Sequence, residues 1–358
     1  MLSYYKHGGG YKKAALNAEV NPEGVVDYSI SINWKAKDFY PEELIYDHHN
    51  NMLYPDPEYI ELKSIIEEYH NIPQKTFILT HGANEAIAAL FNMLVLASNY
   101  KEKEIYLVGP TYSEYNKYIE LYNLKYSCIH FTELESSFDK VKNNIAIIVN
   151  PNTPGGQYYN IRNLIIELLD HKTVIILDES FIDFTDRLSA SDLISNYQEL
   201  YIVHSLTKFY GSAGARLGLL ISSNHLLNNL INYIIPPWTI SAYDCWFYKN
   251  IIINYNKIKQ ETITWIKTEN KRLKDILKHS ENIIQIPGSL TNFHTFELTE
   301  NFVKQNAIKN LKTYFLKEYN IHIRPVSDFY GYNENCFRAG LQLPEDNEPL
   351  FKALKAIR

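Results

Sequence analysis

The stretch Ser205-Leu206-Thr207-Lys208-Phe209-Tyr210-Gly211-Ser212-Ala213-Gly214-Ala215-Arg216-Leu217-Gly218 lies between an apolar run at 201–204 and another at 217–222. It sets two hydroxyls and a lysine at its head, and an arginine eight residues after the lysine, among glycines. A lysine amine forms Schiff bases with carbonyl compounds, and cationic or apolar surroundings lower its pKa enough to make it nucleophilic. Hydroxyls, a guanidinium and glycine backbone are also groups that hold a phosphate.

Outward from this stretch, short apolar runs at 77–80, 104–108, 145–149 and 173–177 alternate with amphipathic segments at 85–96, 113–122 and 161–169. Ile161, Leu164, Ile165 and Leu168 recur at helical spacing. Strands that are apolar throughout, separated by helices, predict a mainly parallel sheet covered on both faces. Such sheets bind ligands beyond the carboxyl ends of their strands. Three more loops fall there. His81-Gly82-Ala83-Asn84-Glu85 opens a helix, where free N–H groups and the helix dipole suit a phosphate, although Asn84 as an ordinary N-cap is the plainer reading. Asn150-Pro151-Asn152-Thr153-Pro154-Gly155-Gly156 is a rigid polar turn. Asp178-Glu179-Ser180-Phe181 puts two carboxyls at the end of a buried strand, where each needs a cation or a donor. Pyridoxal phosphate needs a lysine for its aldehyde, an anion opposite its pyridinium nitrogen and a cradle for its phosphate. Lys208, Asp178 and the set Ala83, Asn84, Ser205 and Arg216 match those needs.

After Pro236-Pro237 the pattern changes to one long helix over 245–277, shorter strands at 293–298, 321–324 and 336–341, and a final helix. This predicts an N-terminal segment (1–40) joined to a small α+β domain (246–358), with a large domain (41–245) between them. Of the 358 residues 46% are apolar and 21% charged, the balance of a globular protein, and the net charge of −6 leaves no footprint for nucleic acid. Cys128, Cys245 and Cys336 are scattered, which suits a reducing cytosol and gives no metal knuckle. The N-terminal residues lack a signal-peptide core, and no apolar run nears the ~18 residues of a membrane span. His7-Gly8-Gly9-Gly10 is not accompanied by the Gly-x-Ser-x-Gly elbow of esterases, and the glycines after Lys208 fail the dinucleotide fingerprint. His48-His49 has no partner at metal-ligand spacing.

Over nearly its whole length the chain resembles the fold-type I pyridoxal-phosphate enzymes, in the branch holding histidinol-phosphate aminotransferase and threonine-phosphate decarboxylase. The resemblance implies an aspartate-aminotransferase-like α/β fold: a mainly parallel sheet with helices on both faces, plus a smaller α+β domain. It implies that Lys208 takes the cofactor aldehyde, that Asp178 pairs with the pyridine nitrogen, and that Tyr112 stacks on the ring. Ala83, Asn84, Ser205 and Arg216 would hold the cofactor phosphate. Tyr54, in Tyr54-Pro55-Asp56-Pro57, would reach the cofactor phosphate of a second subunit, implying a homodimer. Arg338 would grip the substrate carboxylate, and Arg324 the substrate's own phosphate unless it makes a domain-interface salt bridge; Asn33 would touch the carboxylate or cap a turn, and His7 is a further substrate contact or a surface histidine.

Asp27-Tyr28-Ser29-Ile30-Ser31-Ile32-Asn33, Asp178–Phe184 and Pro237-Trp238 look more like the decarboxylase. Phe181 stands where many aminotransferases have a tyrosine whose hydroxyl meets the cofactor 3-oxygen, and phenylalanine has none. Thr153 stands where the family usually has asparagine, so Asn152 and Thr153 both remain as partners for that oxygen. Trp34, rather than proline, follows Asn33. The activity implied is decarboxylation of O-phospho-L-threonine or O-phospho-L-serine to an amino-alcohol phosphate and CO2, for assembly of a cobamide nucleotide loop. Transamination of histidinol phosphate with 2-oxoglutarate is the rival, and a cofactor-binding protein without turnover is a third reading.

Overall fold

Period-two burial explains the large sheet. In the strands Ile145–Val149, Val174–Asp178 and Leu200–Ser205 every residue is buried. Alternate side chains enter two different cores: Ala146, Ile148, Ile175, Leu177 and Ile202 one, Ile147, Val149, Ile176, Tyr201 and Val203 the other. Both faces are therefore covered, and runs of Ile and Val are what such strands require.

The structure is a computed structural model and describes residues 8–41 and 46–357. In chain order the strands are β1 (Val26–Asp27), β2 (Phe77–Thr80), β3 (Ile105–Gly109), β4 (Tyr126–His130), β5 (Ile145–Val149), β6 (Val174–Asp178) and β7 (Leu200–Ser205). They continue as β8 (Gly218–Ile221), β9 (Ile283–Gln285), β10 (Phe293–Leu298), β11 (Ile321–His322), β12 (Arg324–Pro325) and β13 (Cys336–Gly340). Seven form one sheet in the order β2-β8-β7-β6-β5-β3-β4, in which only β8 runs antiparallel to its neighbours. The helices Ala83–Leu96, Ser113–Leu121 and Arg162–Asp170 lie among its connections. No helix among the described residues is long and apolar enough to cross a membrane.

A four-stranded antiparallel sheet, β12-β13-β10-β9, forms the second unit. The segment after β1 joins the two sheets. β1 pairs in parallel with β11, the Gly340 N–H donates to Tyr28 O at 2.7 Å, and the Asn33 N–H donates to Lys208 O at 2.9 Å. Residues 28–33 thus run from the small sheet to the backbone of the lysine stretch.

Three features differ from the sequence reading. The strand expected over 321–324 is two strands, β11 and β12, which pair in different sheets. The helix expected over 245–277 is two helices, Ala242–Ile252 and Tyr255–Leu277, separated at Ile253 and Asn254. Ser241 caps the first by accepting from the Asp244 N–H, so it begins before the cysteine. Strand β4 was not expected: its Tyr-Ser-Cys-Ile-His sequence is half-polar because it is the sheet's edge and faces solvent.

Candidate active site

A cavity opens beyond the carboxyl ends of β5, β6 and β7, closed on the other side by residues 29–32 and by the small sheet. Its volume is about 310 Å³. Lys208 lines it, from the short helix Leu206–Phe209 that β7 leads into. Burial, then the positive charges of Arg338 and Arg216, lower the Lys208 pKa to about 8, against the opposing pull of Asp178. A substantial fraction of the amine is therefore neutral and nucleophilic near neutral pH.

Asp178 ends β6 on the face that carries Val174 and Ile176, opposite the helix Ser113–Leu121. The Tyr115 hydroxyl donates to Asp178 Oδ2 at 2.9 Å and the Ser180 N–H to Oδ1 at 2.9 Å. Burial raises the Asp178 pKa, while these donors and the nearby charge of His204 hold it down. His204, on the opposite face of β7, pairs with Asp183 at 2.8 Å, and the Tyr255 hydroxyl donates to the other Asp183 oxygen at 2.7 Å. Burial opposes both charges of the pair, yet their mutual attraction leaves Asp183 with a lowered and His204 with a raised pKa.

The anion cup is formed where β2 turns into the helix Ala83–Leu96. Gly82 is its N-cap at φ 71° and contributes no side-chain cap, so Asn84 is inside the first turn rather than capping it. A Cβ at Gly82 would lie 2.5 Å from Arg216 Nη2. Only glycine allows this backbone angle and this approach of the guanidinium together. Ala83, Asn84, Ser205, Thr207, Ala213 and Arg216 line this end of the cavity. The Tyr112 hydroxyl donates to Asn84 Oδ1 at 3.3 Å, and burial raises its pKa to about 12, so it remains a phenol.

At the other end Arg324 and Arg338 are direct partners across β12 and β13. Like charges so placed repel unless an anion is shared between them. Arg338 donates to Thr153 Oγ1 at 3.0 Å and to Ser29 O at 3.2 Å, both uncharged, and its buried Nε has no hydrogen-bond partner among the described residues. Burial and then the charge of Arg324 lower its pKa to about 10, which leaves it a cation at neutral pH. Ser31 Oγ and Ser113 Oγ, which also line the cavity, are buried without partners. Unsatisfied polar atoms aimed into one cavity mark it as built for a polar ligand.

A model of the aminotransferase class I and II family matches residues 23–354. The chain belongs to that family. A histidinol-phosphate aminotransferase from Flavobacterium johnsoniae is 27% identical over 312 residues, 85% of each chain. An L-serine phosphate decarboxylase from Campylobacter jejuni is 26% identical over 323 residues, 84% of this chain and 79% of the other. The structure of L-threonine-O-3-phosphate decarboxylase from Porphyromonas gingivalis superposes with a TM-score of 0.78 at 22% identity, over 93% of this chain and 99% of that one. The fold is fold type I.

The residues fit the family's cofactor, pyridoxal 5′-phosphate. A cationic cup that a Cβ at Gly82 would fill suits its phosphate, a lysine of lowered pKa its aldehyde, and a hydrogen-bonded carboxylate its ring nitrogen. Tyr112 lines the same cavity. Of the Asn152 and Thr153 alternatives, Thr153 lines the cavity, whereas Asn152 Oδ1 accepts from the Gln157 N–H and lies outside it. For Asn33 the structure shows the cap of the two alternatives. Its amide donates to Phe209 O at 2.9 Å and Thr262 Oγ1 at 2.7 Å, and its Oδ1 caps a short 3-10 helix by accepting from the Lys35 N–H. It supports the lysine backbone instead of facing the cavity. Tyr54 also lies outside this chain's cavity; it is 78% exposed and stacks on Trp238 at 4.4 Å. His7 lies outside the described residues. The sequence reading missed Tyr115, Ser180 and Phe329 as site residues. Tyr115 had a signal, since it is one helical turn beyond Tyr112 on an amphipathic segment.

Proposed function

We propose that the chain decarboxylates a small O-phospho-L-amino acid, phosphothreonine or phosphoserine, to an amino-alcohol phosphate and CO2. The observation that carries this reading is the pairing of Arg324 with Arg338 on adjacent strands in the cavity that holds Lys208. Partners across an antiparallel ladder are only ~4.5–5.5 Å apart at Cα. Two cations that close suit a carboxylate and a phosphate carried on neighbouring carbons of one small molecule.

Arg338 holds the α-carboxylate and Arg324 the phosphate, and gripping both ends fixes the rotation about the bonds to Cα. Pyridoxal phosphate, when bound, supplies the electron sink that accepts the bonding pair as CO2 departs. Asp178, kept ionised by Tyr115 and Ser180, holds a proton at the ring nitrogen. Lys208 returns a proton to Cα, so that hydrogen replaces the carboxyl group. Orientation of this kind is worth several kcal/mol of barrier. Phe181, buried at 4.9 Å from Phe293 in an edge contact, lends the cavity wall an apolar surface without a hydroxyl. Exposure of Tyr54 beside Trp238 supports a homodimer in which Tyr54 reaches the second copy's cavity.

The rival is transamination of histidinol phosphate, favoured by the likeness to the F. johnsoniae enzyme. Incubation with phosphothreonine, phosphoserine or histidinol phosphate, with and without 2-oxoglutarate, separates the two. CO2 release without an oxo-acid supports the decarboxylase; a keto product that requires 2-oxoglutarate overturns it. A single methyl group separates the two phospho-amino acids, worth only ~1–3 kcal/mol of discrimination.

A further inference from the structure

Arg324 already holds an anion, and the anion is the protein's own. Its Nη1 donates to Asp328 Oδ1 at 2.9 Å and its Nη2 to Oδ2 at 2.6 Å, a two-pronged pairing of the kind that a phosphate would make. Nη1 also donates to Pro325 O, and the guanidinium carbon lies 5.4 Å from the centre of the Phe329 ring. Arg324 is 5% exposed, whereas the Asp328 side chain is 29% exposed. The arginine is thus fixed in place while its partner sits at the edge of solvent.

The two residues stand at a partition. Arg324 lines both the substrate cavity and a second cavity of about 330 Å³, and Asp328 lines only the second, with Lys309, Lys312 and Glu334. The carboxylate therefore approaches the guanidinium from the side away from Lys208 and directs its two terminal nitrogens there. A ligand arriving beside Lys208 competes for the same donors. Arg338, across the strand pair, has only uncharged hydrogen-bond partners, so the protein neutralises one of the two facing arginines and leaves the other.

We infer that Asp328 is a specificity-determining residue: it occupies the Arg324 fork as an internal competitor that a phosphate dianion displaces and a carboxylate does not. The argument is one of charge. An aspartate or glutamate side chain offers Arg324 the same single charge that Asp328 already supplies, and Asp328 supplies it from the same loop, at a high effective concentration. An exchange of carboxylate for carboxylate gains nothing. A phosphate dianion brings a second negative charge to a site flanked by Arg338, and the released Asp328 turns into the solvent-open second cavity. The site thereby admits phosphorylated amino acids and rejects acidic ones. This inference rests on the reading of Arg324 as the phosphate subsite, and its test separates the two.

The test is calorimetric titration of the pyridoxal-phosphate-loaded protein with inorganic phosphate and, separately, with acetate, the cofactor filling the cup at Arg216. Asp328→Asn keeps the shape and one acceptor for Arg324 while removing the charge. Phosphate affinity is expected to rise at least about tenfold, the scale set by removing one unit charge beside a bound dianion near a protein surface. The wild type is expected to take acetate only at Arg338, and a second acetate site, dependent on Arg324, is expected to appear in the variant. Both gains should vanish in the Asp328→Asn/Arg324→Gln double variant. Asp328→Ser carries the same expectations should the asparagine variant not fold. Unchanged or weaker phosphate binding in both single variants, with Arg324-dependent binding in the wild type, overturns the inference and makes Asp328 a brace for Arg324. Failure of wild type and single variants alike to bind phosphate overturns instead the assignment of Arg324 to a phosphate.

Discussion

Replacing Tyr115 by phenylalanine removes one oxygen atom from the molecule and tests how the ring-nitrogen carboxylate is kept charged. Asp178 is buried, and burial alone drives a carboxyl toward its neutral form. Two hydrogen bonds oppose this, from the Tyr115 hydroxyl and the Ser180 N–H, each 2.9 Å long. A hydrogen bond to a charged group contributes ~1.5–3 kcal/mol, or roughly ten- to a hundredfold in the ratio of charged to neutral Asp178. The substitution conserves volume in a helix whose Tyr115 side chain is fully buried, so packing is retained. Its sign follows from the linkage. Losing a donor to the ionised form raises the Asp178 pKa further, so the protein loses its working charge at a higher pH as the medium is acidified. The kcat–pH profile of Tyr115→Phe should therefore show its acid limb moved toward neutrality, with kcat reduced most at low pH and partly restored on the alkaline side. The visible absorbance of the loaded protein, followed over the same pH range, should move in parallel. An acid limb and absorbance titration that coincide with the wild type would refute the argument and assign the control of Asp178 to other groups.

Two further outcomes follow from the buried charges. The rate at which cofactor-free protein takes up pyridoxal phosphate should rise with pH to a midpoint near 8, because only the neutral Lys208 amine attacks an aldehyde; a midpoint at the ordinary ~10.4 of a lysine would show that burial and the two arginines do not act on it. His204→Ala leaves Asp183 with Lys259 at 3.9 Å and the Tyr255 hydroxyl, and should cost ~3 kcal/mol in denaturant unfolding, the lower end for a broken buried pair because those two partners remain. With the pair intact, Asp183's lowered pKa gives stability that is complete above the ordinary carboxylate range near ~4 and lost on acidification. His204's raised pKa gives stability that is complete below ~6.5 and lost as pH rises through its elevated value. The variant should lose both limbs of that dependence, and an unaltered stability–pH curve would count against the pair.

What could be read from the residues alone was whatever is local. Strands β2 and β5 lie where unbroken apolar runs place them, and Lys208, Asp178 and Arg216 come together because Asp178 ends β6, Lys208 follows β7 and Arg216 leads into β8, neighbouring strands of one sheet. What escaped depends on parity and distance. Tyr115 meets Asp178 only because β6 presents alternate residues to the helix beside it, and the sequence does not say which face a helix will cover. Asp328 is an unremarkable loop acid until β12 brings Arg324 beside Arg338. Asn33 was drawn into the site by its neighbours in the motif, since Ser31 and Ile32 do line the cavity, but a turn at Asn33 sends its amide to Phe209 and Thr262. Strand β4 obeys solvent rather than core, and its mixed composition hid it.

The segment that leads from Asp27 to Lys208 gives synthesis and assembly an unusual order. Asp27 precedes its strand partner, the His322 whose ring it meets at 3.0 Å, by 295 positions. Closing so wide a loop is entropically costly and slow compared with local pairing. The large sheet, whose strands end at Ile221, can form before residues 320–340 are made, while the early segment must wait for those residues before it is held over the lysine. A chain synthesised through Ile221 but not yet through Arg338 would therefore hold a folded cleft with its amine uncovered, accessible to free aldehydes but lacking the facing arginines of β12 and β13.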